Sequence, residues 1–161
     1  MSMDAANDDA ADVAGQSGDV DPITLTVIWN TLLSIAEELG VTLRNTAFSE
    51  GVREGDDFAT ALFDKDAVLI AQGNFSPGHL GSMPFMAKHV LRYFPADTLQ
   101  PGDSILVNDS FIGAGHFPDT YQLMPVFVAD RLVGFVCCSA HQVDMGGAAP
   151  GSQKVHGVTE A

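Results

Sequence analysis

The residues best suited to chemistry gather late in the chain, in GHFPDTYQLMPVFVADRLVGFVCCSAHQVDMGG, residues 115–147. His-x-x-Asp occurs there twice, as His116/Asp119 and His141/Asp144. Imidazole and carboxylate donors together suit a divalent cation such as Zn, Mn or Fe. Either pair alone also fits a plain surface turn, because Asp fixes turns and His is common at partly exposed positions. Proximity would make a site of them, so the elements that carry them decide the matter.

Residues 121–129 and 132–140 are rich in Val, Phe, Leu and Tyr and read as two strands. The short polar break Asp130-Arg131 is of hairpin length. If 129 pairs with 132, then 120 pairs with 141, and His141 arrives beside Asp119. The hairpin therefore predicts that both His-x-x-Asp groups meet at its open end. Pro118 opposes a helix at the first copy, and Gly113, Gly115, Gly146 and Gly147 give both flanks loop character.

The rest of the chain reads as an α+β arrangement: an N-terminal helix, then β-hairpins and a short helix. Asp21-Pro22 forms an N-cap and first-turn proline, and apolar residues recur at Leu25, Ile28, Leu32, Ile35 and Leu39. That helix is expected to reach about Asn45, weakened at Gly40. Residues 57–73 predict a hairpin turning at Asp64-Lys65-Asp66, and 103–109 a further strand. A shorter helix is expected after Ser82, through Met86, Val90 and Leu91, ending before Pro95. His79, on the 78–82 loop, has two roles open to it: a catalytic residue reaching the site, or a cap for that helix. Glu50, Glu54, Asp56 and Asp57 read as a solvated acidic loop.

Composition sets the outer bounds. The 161 residues are 46% hydrophobic, enough for one domain with a core. A net charge of −14, from 21 acids against 7 bases, argues against nucleic acid and anionic membranes as partners. Six of those acids lie in residues 1–21, where residues 1–20 read as a disordered acidic tail, yet the body remains acidic. Few lysines and abundant Asp also fit a high-salt cytoplasm. No stretch of 18 apolar residues and no basic-then-apolar leader is present, so the expected location is cytoplasmic. Cys137 and Cys138, adjacent on a strand, point to opposite faces and read as packing residues. The stretch GNFSPGHL (73–80) lacks the Lys-Ser/Thr of a phosphate loop, and no Gly-x-Ser-x-Gly elbow occurs.

Five stretches carry a resemblance: DPITLTVIWNTLLSIAEELGVTLRNTAFS, DFATALFD, HLGSMP, GDSILVNDSFIGAGHFPD and AHQVDMGGAAPGS. In this order they resemble the amino-terminal part of the hydantoinase B/oxoprolinase family, whose members include the B subunit of N-methylhydantoinase and the large subunits of acetone and acetophenone carboxylases. The resemblance implies an ATP-using A-type partner subunit, a small-molecule substrate, and a B-type subunit that completes hydrolysis or carboxylation. It implies a divalent metal held by residues matching His116, Asp119 and His141, with Asp144 orienting a ligand or serving as base. Two departures stand out. Glu54-Gly55-Asp56-Asp57 replaces an Arg-bearing loop, and Asp64-Lys65-Asp66-Ala67 replaces a D-x-D-G turn.

Family B subunits are several times longer, so residues 21–161 are expected to be the N-terminal part of a larger domain. The leading expectation is a subunit or fragment of an ATP-dependent cyclic-amide hydrolase with a divalent-metal site, inactive without the rest of its complex. The alternatives are a carboxylase subunit using the same site and a non-catalytic assembly fragment. The segment GSQKVHGVTEA lacks apolar period and capping signals, so exposed apolar surface and self-association are expected.

Overall fold

The computed structural model describes residues 20–113 and 115–145. The expectations for residues 1–19, for Gly146 and Gly147 and for the segment after them lie outside the described residues.

Among the described residues three α-helices and five strands follow in the order α1 (Pro22–Thr46), α2 (Glu50–Gly55), β1 (Phe58–Asp64), β2 (Leu69–Gln72), α3 (Pro77–Val90), β3 (Ile105–Val107), β4 (Asp119–Val128) and β5 (Arg131–His141), with a single 3-10 turn at Ala96–Thr98. The strands form one antiparallel sheet in the order β2-β1-β5-β4-β3. This is the α+β class that the sequence implies.

Side chains alternate across the sheet and so build two unlike faces. On one face Ala59, Ala61, Phe63, Tyr121, Leu123, Phe135 and Cys137 pack under Leu80, Met83, Met86, Ala87 and Val90 of α3. On the other, Leu62 and Ala71 meet Ala36 of α1, with Leu32, Leu33 and Leu39 partly buried beside them. The Thr60 hydroxyl donates to the Ala36 carbonyl at 2.7 Å, which fixes α1 against β1.

The α1 start is as expected: Asp21 accepts hydrogen bonds from the Ile23 and Thr24 amides, both at 3.0 Å. Gly40 has a packing purpose, because a Cβ there would lie 2.0 Å from the Phe75 ring. Phe75 stacks in turn on Phe58, with ring centroids 4.5 Å apart. The first hairpin turns where predicted, with the Asp64 carboxylate accepting from the Asp66 and Val68 amides.

Three expectations change. The short helix begins at Pro77, five residues before Ser82, and carries Pro84 inside it. The 78–82 segment is therefore helical, and His79 stands in the first turn of α3. The acidic stretch from Glu50 is helix α2 (Glu50–Gly55), closed by Asp56 at φ 52°. The β4–β5 turn is Ala129-Asp130, with Ala129 at φ 52° and Val128 paired to Arg131. An irregularity between Val126 and Phe127 then moves the register, so Thr120 faces Ala140 and Asp119 faces His141.

Candidate metal centre

That register places the site on a single rung. Asp119 and His141 are direct partners across β4 and β5. Phe58 pairs with Ala140, and the His141 amide donates to the Asp57 carbonyl at 3.1 Å, so Asp57 continues the rung beyond β1. Asp57, His141 and Asp119 thus stand in a row at the open end of the sheet, on the face that α3 covers. His79 descends on this row from α3, and His116 closes it from the turn before β4, where the Asp119 amide donates to the His116 carbonyl at 3.4 Å.

Asp119 is the hub. Its Oδ1 lies 2.9 Å from His141 Nδ1 and 3.4 Å from His116 Nε2. Its Oδ2 lies 2.9 Å from His79 Nε2. Both Asp119 and His79 are buried, whereas His141 and His116 are partly open to solvent. Asp57 stands back, with its carboxylate oxygens 3.7 Å from His79 Nε2 and from His141 Nδ1. Burial pushes the Asp119 carboxyl up, but hydrogen bonds from His79 and His141 and the nearby His116 outweigh it. The carboxyl is left below the usual carboxylate value of 3.8.

One donor atom each from His116, Asp119 and His141 lie within 4.8 Å of one another. Two imidazoles and a carboxylate on two strands and a turn form a three-donor set of the kind that holds a transition-metal ion and leaves a position open. The set also fits a cation on internal grounds. His116 Nε2 and His141 Nδ1 lie 3.3 Å apart beside Asp119 Oδ1, a spacing that a shared proton bridges in the metal-free chain and that a cation would take over.

The residues singled out in the sequence fare unequally. His116, Asp119 and His141 come together as the hairpin predicts, with Asp119 directly opposite His141 in place of Thr120. His79 joins them through Asp119. Asp144 lies beyond the end of β5, exposed, and is not one of the three grouped donors. The solvated-loop expectation changes for Asp57, whose carboxylate faces the imidazoles of His79 and His141. Only the tertiary β1–β5 pairing shows this, because the register that aligns Phe58 with Ala140 carries Asp57 to His141. Asp56 beside it leaves the site to pair with Arg44. A cleft of about 540 Å³ opens next to Asp57, lined by Asp56, Asn74, Phe75 and Ser76 among others.

Comparison with known proteins agrees with this architecture. Residues 21–159 match the hydantoinase B/oxoprolinase family. The 5-oxoprolinase of Saccharomyces cerevisiae is 37% identical over 150 residues, which are 91% of this chain and 12% of that protein. The ATP-dependent caprolactamase from Pseudomonas jessenii superposes with a TM-score of 0.69 at 33% identity, over 81% of this chain and 22% of its own. A nucleotide-free acetone carboxylase shares the fold, with a TM-score of 0.72 at 23% identity over 81% of this chain and 17% of its own. The chain spans 11–24% of the length of the first curated relatives it matches. The match over 21–159 covers most of the sequence, and the chain belongs to the hydantoinase B/oxoprolinase family.

Proposed function

We propose that this chain supplies the metal-bearing portion of an ATP-dependent hydrolase of cyclic amides. The observation that carries the reading is the three-donor cluster His116, Asp119 and His141, with ligand atoms within 4.8 Å. Family membership supports the reaction class, since relatives include a 5-oxoprolinase and an ATP-dependent caprolactamase.

A divalent ion in this cluster would act as a Lewis acid on a carbonyl oxygen or lower the pKa of a bound water. The chain's own residues do the rest. His116 Nε2 and Asp119 Oδ1 would face the ion, and His141 Nδ1 would join them by giving up the proton it shares with Asp119 in the metal-free chain. Asp57 sets a negative charge at the rim of the adjoining cleft and orients a polar substrate there. Asp144 is assigned the acceptor role for the proton released by the attacking water. ATP belongs to an A-type partner subunit in this reading, because the sequence has no phosphate loop. The remainder of a B-type chain completes the substrate pocket.

A carboxylase subunit is the second reading, and the acetone carboxylase fold favours it. The two are told apart by product analysis of the assembled complex with ATP, offering a lactam or a ketone plus bicarbonate. Amino-acid release from the lactam supports the hydrolase. Elemental analysis of the purified chain tests the site: about one equivalent of Zn, Mn or Fe is expected in wild type, falling sharply in His116→Ala. Equal metal in both would remove His116 from the site. The chain free of its partner is expected to show no ATPase activity.

A further inference from the structure

The reading above gives His79 no task, although it is among the most buried polar residues of the described chain, at 5% exposure. We propose that His79 is the positioning residue that fixes Asp119 in its ligating orientation, and that it is not itself a ligand. This rests on the metal reading of the cluster.

The two oxygens of Asp119 are divided between two tasks. Oδ1 faces His141 and His116, while Oδ2 is committed to His79 Nε2 at 2.9 Å. A carboxylate only accepts, so Nε2 carries the proton in this contact. The opposite tautomer would set two acceptors face to face at that distance and leave a buried N–H at Nδ1 without a partner. With Nε2 protonated, the orphan atom is Nδ1 as a bare acceptor, and among the described residues no hydrogen-bond partner reaches it. An unpaired acceptor is the less costly of the two outcomes. His79 differs from His141 in its place: it is buried, it sits on Oδ2 rather than on the shared Oδ1, and its nitrogens are not among the grouped donor atoms, which keeps it out of the ligand set. Asp57, at 3.7 Å, is too distant to compete for the proton.

The orientation is held rigidly because His79 rides on a packed helix. The Ser82 hydroxyl and Tyr121 Oη lie 2.7 Å apart, which ties the first turns of α3 to β4 two residues from Asp119. The His79 and Tyr121 rings meet edge to face with centroids 6.2 Å apart. Turning Asp119 about its Cβ would break the bond between two buried side chains. Groups that orient a metal ligand in this way typically change affinity about 10–100-fold when removed.

Three variants of the full chain test the proposal: His79→Gln, which keeps an N–H donor near the Nε2 position, His79→Asn, whose amide is one methylene short, and His79→Leu, which has no donor. Zinc affinity is measured by chelator competition, the ligand field by the absorption of the cobalt(II) form, and folding by metal-free thermal unfolding. Leu and Asn are expected to weaken zinc about 10–100-fold and shift the cobalt bands, while Gln recovers most of the affinity and the wild-type bands. Folded Leu or Asn chains binding zinc as tightly as wild type overturn the proposal. Gln falling as far as Asn also overturns it, because an N–H donor at the Nε2 position would then not suffice. Failure of the wild type to bind any of these metals removes the cluster reading itself, and this inference with it.

Discussion

The two faces of the sheet are built on different terms. Helix α3 buries His79, Leu80, Met83, Met86, Ala87 and Val90 out of 14 residues. Helix α1 is longer, at 25 residues, yet buries only Ala36 and Gly40. Its stripe Leu25, Ile28, Leu32, Ile35 and Leu39 has regular helical spacing, but Leu25, Ile28 and Ile35 stay exposed, as does Trp29. Helical periodicity shows that a face is apolar and does not show what it packs against. The α3 face holds the donor cluster at its end; on the other face α1 packs through a small cluster around Ala36 and leaves Leu25, Ile28, Trp29 and Ile35 exposed.

The largest test of this difference is Phe63→Ala under α3, where Phe63 is 1% exposed. It is expected to cost about 3–5 kcal/mol in denaturant unfolding, whereas a cost near zero would mean the α3 face is loose. Gly134→Ala comes next, because the new Cβ would sit 2.3 Å from the Phe63 carbonyl oxygen where β5 passes β1. Overpacking of this kind costs about 1–3 kcal/mol, read as a lowered urea midpoint.

Acid should act on the α3 face. Asp119 is held below 3.8 when folded, so the folded chain binds the proton less readily than the unfolded one. Its contribution is complete above that value and is lost as pH falls through the lower folded pKa. Urea midpoints of metal-free wild type should therefore drop in this acid window more steeply than those of Asp119→Asn. Parallel profiles would detach the carboxylate from stability.

The smallest expected effect lies on α1. Ile28→Ser, at a residue 47% exposed, should leave unfolding unchanged within about 0.5 kcal/mol. It should nevertheless reduce the concentration-dependent association expected from exposed apolar surface, as seen by light scattering. A clean wild-type monomer at every concentration would show that this surface is harmless.

Much of this was legible beforehand. Asp21-Pro22, the Asp64 turn and the convergence of His116, Asp119 and His141 follow from local turn chemistry and strand alternation. The exact rung did not, because it depends on the left-handed Ala129 and the shift at Val126/Phe127, which the apolar pattern tolerates at either register. Helix α3 began early because Pro77 suits a first turn, and the Pro-Gly-His-Leu-Gly run disguised it as a loop. Asp57 was hidden among its acidic neighbours, since only tertiary pairing separates it from Asp56, which turns to Arg44.

Adjacent Cys137 and Cys138 point to opposite faces of β5, as alternation requires, with the first fully buried and the second only partly so. Burial pushes both thiols up, Cys137 the further. The chain therefore carries a chemical stopwatch with two hands. Under a thiol-alkylating reagent, Cys138 is modified as the open face breathes, while Cys137 waits for α3 to lift. The ratio of the two rates times the opening of each side of the sheet within a single molecule.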